Sequence, residues 1–60
     1  MKKIHAKKLH NRDQVLVLGT NGEWTVGYVL GTPKEVSGRI IVPVQTNEDG
    51  FREVDHSDVR

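Results

Sequence analysis

The chain has 60 residues, no cysteine and a formal net charge of +1, and 35% of its residues are hydrophobic. This length allows one domain with a small core and no deep pocket, and the lack of cysteine excludes a disulfide-stapled scaffold or a thiolate metal site. No apolar run reaches the roughly 20 residues of a membrane span, and no signal-peptide core follows Met1, so we expect a cytoplasmic protein without a membrane partner.

The first twelve residues differ in charge from the rest of the chain. No acidic residue precedes Asp13, and five basic residues do: Lys2, Lys3, Lys7, Lys8 and Arg12. From Asp13 onward, four basic residues stand against eight acidic ones. Residues 1–12 have neither helical nor strand periodicity, which predicts a basic N-terminal arm or loosely packed strand before a domain formed by residues 13–60.

Residues 13–31 are typical of a β-hairpin around Asn21-Gly22, a pair that tolerates the positive φ angles of a type I′ turn. The first strand is apolar on both faces, because Val15 and Val17 alternate with Leu16 and Leu18. The residues of the second strand alternate between its two faces. One face carries Trp24, Val26, Tyr28 and Leu30, and the other carries Thr25, Gly27 and Val29.

The remaining segments continue the β pattern. Gly31-Thr32-Pro33 ends the pairing, and residues 34–38 form a polar excursion before the next apolar run. The β-branched run 39–46 predicts a third strand, with Pro43 at an edge, at a bulge or with its nitrogen facing away from a neighbour. Residues 47–50 predict a turn, 51–55 a fourth strand, and 56–59 a helical turn capped by Ser57 or Asp55. The sequence therefore predicts an all-β fold.

This order of turns and core positions resembles the SH3-like small β-barrel superfamily and is closest in layout to Tudor domains. The resemblance covers residues 13–60 and is carried by three stretches: Asn21-Gly22-Glu23-Trp24, Gly27-Tyr28-Val29, and Arg52-Glu53 through Ser57-Asp58-Val59. It implies a barrel of four to five short antiparallel strands. Fold analogy alone says little about activity.

Two relatives of that fold imply specific sites. Tudor domains that read methylated lysine or arginine use a cage of aromatic rings, and the corresponding positions here hold none: Leu18, Thr25, Gln45 and Glu48. The type II dihydrofolate reductase builds its site at the centre of a tetramer, but its Val-Gln-Ile-Tyr signature is absent near residues 51–54. No binding or catalytic residue is carried over from either.

Four residues are candidates for binding a protein partner: Leu16, Leu18, Trp24 and Tyr28. The second apolar face of the first strand must be covered by the arm, a neighbour or a partner. If the face that carries Trp24 and Tyr28 is exposed, the two rings anchor a partner or stack bases. The alternative is that they close the core, together with Phe51; we favour the core for Trp24 and leave Tyr28 open.

The charged residues suggest one further site. Lys2, Lys3, Lys7, Lys8 and Arg12 are suited to contact nucleic-acid phosphates, although the acidic domain behind them would repel a nucleic acid, and a solvated tail is the favoured alternative. The spacing of His5, His10 and His56 does not pair two of them as metal ligands. The C-terminal carboxylates are expected to form a solvated acidic face: Glu48, Asp49, Glu53, Asp55 and Asp58.

Three functions follow as hypotheses, all without a cofactor. The first is a small non-enzymatic protein-interaction module, an adaptor or accessory regulator such as a phage encodes, whose partner is either another protein or a second copy of itself. The second is nucleic-acid binding through the basic arm. The third, ranked last, is an enzyme built at the centre of an oligomer, because no nucleophile, base and orienting group converge in any motif.

Overall fold

The computed structural model describes all 60 residues. It contains one short helix, five strands and a C-terminal 3-10 turn, with these bounds: α1 (Lys3–Ala6), β1 (Gln14–Leu18), β2 (Trp24–Val29), β3 (Lys34–Val36), β4 (Arg39–Thr46), β5 (Gly50–Asp55) and the 3-10 turn (His56–Asp58). The strands form one antiparallel sheet that is not closed into a barrel. The all-β class is confirmed, and the sheet is open where a closed barrel was predicted.

The longest strand, β4, holds the sheet together. It pairs with β2 through residues 44–46, with β3 through residues 39–41 and with β5 through residues 41–46. Pro43 lies between the contacts with β3 and β2. Its carbonyl accepts a hydrogen bond from the Leu30 amide at 2.9 Å, just beyond the end of β2. The missing proline N–H therefore falls at a break in the pairing, in line with the expectation for this residue.

The hairpin of β1 and β2 is present, but its predicted type I′ turn is wrong. Five residues, 19–23, connect the strands, and the Gly22 amide donates to the Gly19 carbonyl at 2.9 Å. Gly22 has a φ of +84°, whereas Asn21 does not have a positive φ. The Asn21 side chain instead accepts a hydrogen bond from the Glu23 amide at 3.0 Å, which stabilises a longer loop.

A second hairpin occupies the segment that was predicted to be a polar loop. Ser37 and Gly38 connect β3 to β4, with Val36 directly opposite Arg39. Their φ angles are +51° and +79°, so both central residues have the positive φ that a type I′ turn requires. All three residues of β3 are exposed, so the strand has no alternating apolar pattern by which to recognise it.

The N-terminal segment is neither an extended arm nor a strand. Residues 3–6 form α1, and Ala6 is fully buried in the core. The Met1 amino group donates to the carbonyls of His56 and Val59. Further along, the Asn11 side chain accepts from the Gly31 amide at 2.9 Å. These contacts attach both ends of the segment to the sheet, although its basic side chains stay exposed.

The core is aliphatic and contains no aromatic ring. Its nine members are Ala6, Val15, Val17, Val29, Ile40, Val42, Val44, Val54 and Val59. The expectation that Trp24 and Phe51 close the core is wrong, because Trp24 is half-buried and Phe51 is exposed; Tyr28, which was left open, is exposed as well. Gly27 leaves the space that Val17 and Thr46 fill, because an added Cβ there would lie 3.1 Å from Val17 Cγ2 and 3.0 Å from Thr46 Cγ2.

Candidate interaction surface

The outer side of the sheet carries a set of large apolar side chains that water reaches. In β2 the residues at 27 and 29 point into the core, so those at 26 and 28 point outward. We call this surface the apolar face, and its members with their exposed fractions are Leu16 (40%), Val26 (44%), Tyr28 (48%), Leu30 (41%) and Phe51 (57%). Monomeric proteins seldom leave such residues clustered, so the cluster requires an explanation.

Strand register makes the apolar face continuous. Leu16 lies directly opposite Val26 across the β1–β2 pair. Tyr28 lies opposite Gln45, and Gln45 lies opposite Phe51, so one exposed amide side chain separates the two rings. Directly opposed residues have Cβ atoms about 5 Å apart, and neighbours two residues apart on a strand share a face. The side chains therefore form one surface that crosses β1, β2, β4 and β5.

The predicted partner-binding residues divide into two pairs. Leu16 and Tyr28 belong to the apolar face, whereas Leu18 and Trp24 lie opposite each other and are half-buried. The guanidinium of Arg60 lies over the Trp24 ring, 3.9 Å from its centroid, in a cation–π contact. Trp24 is therefore at the border of the apolar face, covered on one side by the chain itself, rather than in the core.

Three members of the apolar face were missing from the predicted site: Val26, Leu30 and Phe51. Val26 and Leu30 had been placed on one face with Tyr28, so the alternation in β2 already indicated them. Phe51 was assigned to the core because the chain has few aromatic residues. No signal in the sequence showed that small aliphatic side chains, seven of them valines, would fill the core, and this is what leaves the phenylalanine outside.

Ion pairs border the apolar face on the side of β5. Lys34 Nζ lies 3.1 Å from Glu53 Oε2, and Arg39 makes a bidentate contact with the Asp55 carboxylate. The Arg39 guanidinium, and next the Ser57 hydroxyl and amide, hold the pKa of the Asp55 carboxyl well below its usual range. The predicted acidic face is thus partly neutralised here, and the charges beside Phe51 are already paired.

A polar cleft of about 240 Å³ lies between the β1–β2 and β4–β5 loops. Its lining includes the carboxylates of Glu23, Glu48 and Asp49, and Trp24 is its one hydrophobic residue. Asp49 accepts a hydrogen bond from the Thr20 hydroxyl at 2.8 Å and lies 3.4 Å from an Arg52 nitrogen. One ring, already covered by Arg60, does not make an aromatic cage.

The basic residues of the N-terminal segment are exposed: Lys2, Lys3, Lys7, Lys8 and Arg12. Lys7 forms an ion pair with Glu35 at 3.7 Å. His5 and His10 are exposed as well, whereas His56 is half-buried with Nδ1 3.0 Å from the Met1 carbonyl oxygen. No three side chains among the histidines and carboxylates come together as a group that could hold a metal ion.

The helical part of the fold is small. α1 has four residues, and none of the helices has the length and apolar character needed to cross a membrane.

Comparisons of the chain with protein-family models, with curated proteins and with solved structures find no match in any of the three.

Proposed function

We propose that this chain is a small non-enzymatic protein-interaction module that binds its partner through the apolar face. The observation that carries the proposal is the exposure of five large apolar side chains, each between 40% and 57%, on one side of the sheet. The hydrophobic effect favours removing such a surface from water. Aromatic anchors such as Tyr28 and Phe51 are the residue types that dominate binding energy at interfaces.

We further propose that the fold is SH3-like, with a layout similar to that of Tudor domains. Two features support the likeness. The 3-10 turn follows the last long strand, and the residues after it return to β1 through the Val17–Val59 bridge. The backbones of Leu16 and Arg60 also exchange two hydrogen bonds, at 3.0 and 2.8 Å. A short last strand of this kind would bring the sheet close to a barrel.

The experiment is site-specific photo-crosslinking from two positions in the native cell. A photoreactive residue replaces Val26, which lies on the apolar face, or Val36, which is equally exposed (44% and 50%) but lies on β3. We expect a protein adduct from position 26 and none from position 36. The absence of any adduct from position 26, or equal adducts from both positions, would refute the proposed function.

Nucleic-acid binding is the second candidate, supported by the exposure of all five basic side chains at the N-terminus. Because Ala6 is buried, deleting residues 1–12 would damage the core as well as remove charge. A better variant replaces Lys2, Lys3 and Lys8 with Gln, since none of the three has an ion-pair partner.

The test measures binding to a short mixed-sequence DNA or RNA. If the N-terminal segment contacts phosphates, the affinity falls steeply between about 50 and 200 mM salt, and the triple variant shows a weaker salt dependence. Equal binding by the variant and the original chain would exclude this mechanism.

A further inference from the structure

We infer that the partner of the apolar face is a second copy of this chain, packed so that the β1–β2 hairpins of the two copies run antiparallel. The inference rests on the proposed function, and it adds the occupant and its orientation. The argument uses three features of the chain: the uncharged, apolar make-up of the patch, the opposite charges at the two ends of the hairpin, and the small size of the core.

The apolar face suits a two-fold symmetric contact. Along β2, Val26 lies opposite Leu16 and between Tyr28 on one side and the half-buried Leu18–Trp24 pair on the other, and Phe51 extends the face beyond Tyr28. In a two-fold interface the same patch serves both copies, so each residue needs a partner that is itself on the patch. Aliphatic side chains at the centre meet this need without placing like charges opposite each other.

The two ends of the hairpin differ in charge. At one end, the loops that connect β1 to β2 and β4 to β5 carry Glu23 and Glu48, which have no ion-pair partner, and Asp49, which is paired with Arg52. At the other end, the backbones of Arg12 and Asp13 are hydrogen-bonded to Val29, and the basic N-terminal segment precedes them in the chain, so this end stays net positive. Six residues of β2 separate these ends by about 20 Å.

This polarity selects one of two arrangements. When two such faces pack with their hairpins parallel, the acidic loops of both copies meet, and so do the basic segments. With the hairpins antiparallel, the loop of Glu23 in each copy approaches Arg12 in the other. Complementary potentials favour the second arrangement, because like charges placed together oppose association. Arg60, whose guanidinium lies over Trp24, moderates the acidic end without reversing it.

The size of the chain also favours a second copy. A standard interface buries about 800 Å² per partner, which is about a fifth of the 3958 Å² surface of this chain. The nine-residue core is small, and domains of this size without disulfides or metals commonly gain stability by oligomerisation. We therefore expect a reversible dimer with a dissociation constant between about 1 μM and 1 mM.

The first test compares sedimentation of the full chain with that of two matched variants from about 1 μM to 1 mM. Val26→Lys places a charge between Leu16 and Tyr28 on the apolar face, and Val36→Lys places the same charge on a similarly exposed valine of β3. We expect the original chain and Val36→Lys to dimerise alike and Val26→Lys to weaken dimerisation at least tenfold. A monomer throughout this range, or equal dimerisation by the two variants, would overturn the inference.

The second test determines the orientation. The chain has no cysteine, so a spin label on Glu23→Cys is attached at a single site. The spin-labelled chain, which contains no ¹⁵N, is mixed with ¹⁵N-labelled chain that carries no spin label. Paramagnetic broadening of the ¹⁵N-labelled chain's amide signals is recorded at about 1 mM. We expect broadening around Arg12 and Leu30, and none from a label on Ser37→Cys. Broadening of the 19–23 loop instead would overturn the antiparallel arrangement.

Failure of this inference can be told apart from failure of the proposed function. The mass of the photo-adduct from position 26 distinguishes them. An adduct of twice the chain mass of 6.8 kDa supports the second copy. An adduct of any other mass keeps the interaction module and rejects self-association as its mode of binding.

Discussion

Val17 in β1 and Val59 near the C-terminus are both fully buried and form an isolated antiparallel bridge. Next to this bridge, the backbones of Leu16 and Arg60 exchange two hydrogen bonds. The last two residues thus pair with the first strand, and they also hold the N-terminus, because the Val59 carbonyl accepts a hydrogen bond from the Met1 amino group. One valine therefore connects three parts of the chain.

Shortening Val59 should cost more stability than its size suggests. Val59→Ala removes two buried methyl groups beside Val17, and we expect a loss of about 2 kcal/mol in the free energy of unfolding from lost transfer energy and a cavity. For a domain of this size that loss lowers Tm by roughly 8–16 °C. Chemical denaturation measures it. Val36→Ala, at an exposed site, is the control and should change stability by less than about 0.5 kcal/mol; equal losses would contradict the burial of Val59.

Position 27 requires glycine because there is no space for a side chain there, and not because the backbone adopts a conformation that only glycine tolerates. An added Cβ would lie 3.0 Å from Thr46 Cγ2, 3.1 Å from the Gln45 carbonyl oxygen and 3.1 Å from Val17 Cγ2. One of these three atoms is backbone and cannot move without disturbing β4. We expect Gly27→Ala to destabilise the fold by about 1–3 kcal/mol, as measured by urea denaturation.

Gly38 offers the contrasting case for that experiment. It has a φ of +79° and no atom within 4 Å of an added Cβ. Asn tolerates such a φ, so Gly38→Asn should cost under about 1 kcal/mol. A larger loss at Gly38 than at Gly27 would show that backbone conformation, and not crowding, governs these glycines.

Strand content was largely predictable from the sequence because β propensity and period-two alternation are local properties. The third strand was predicted at 39–46 and observed at Arg39–Thr46, and the Asp55 cap of the 3-10 turn was among the two predicted. β3 was missed because its three residues are all exposed and provide no apolar signal. α1 was missed because four residues are too few to show a period of 3.6.

The apolar face was predictable in part. Alternation in β2 grouped Val26 with Tyr28 before the structure showed that this face lies outside. Which of the two faces turns inward depends on how valines from β1, β4 and β5 pack together, and that is a property of the whole fold. The sequence therefore indicated that Trp24, Tyr28 and Phe51 mattered but could not place them, and the preference for a buried Trp24 was wrong.

The type I′ turn at Ser37-Gly38 gives a simple gain-of-stability test. Ser37 has a φ of +51°, a conformation that costs most L residues about 1–2 kcal/mol but costs Asn less. We expect Ser37→Asn to raise the free energy of unfolding by about 0.5 kcal/mol and Ser37→Val to lower it by about 1 kcal/mol or more, since β-branched residues resist positive φ. Chemical denaturation measures both changes, and a Ser37→Val variant as stable as Ser37→Asn would contradict the positive φ at this position.

The Asp55–Arg39 ion pair makes stability depend on pH in a known direction. Arg39 and Ser57 hold the folded-state pKa of Asp55 below its usual value, which is about 3.9 in an unfolded chain. The contribution of the carboxylate to stability is therefore fully present above about pH 4 and is lost as the pH falls below that value, toward the folded-state pKa. In Asp55→Asn the amide still accepts a hydrogen bond at the cap but carries no charge to titrate.

Thermal unfolding followed by circular dichroism from about pH 7 to pH 2 tests this expectation. We expect the Tm of the original chain to exceed that of Asp55→Asn at pH 7. This difference in Tm between the original chain and the variant, the gap, should narrow as the pH falls below about 4. Glu48→Gln is the control, because Glu48 is exposed and has no ion-pair partner, so its gap should stay small throughout. A gap for Asp55→Asn that stays constant or widens in acid would show that Arg39 does not stabilise the folded chain through this carboxylate.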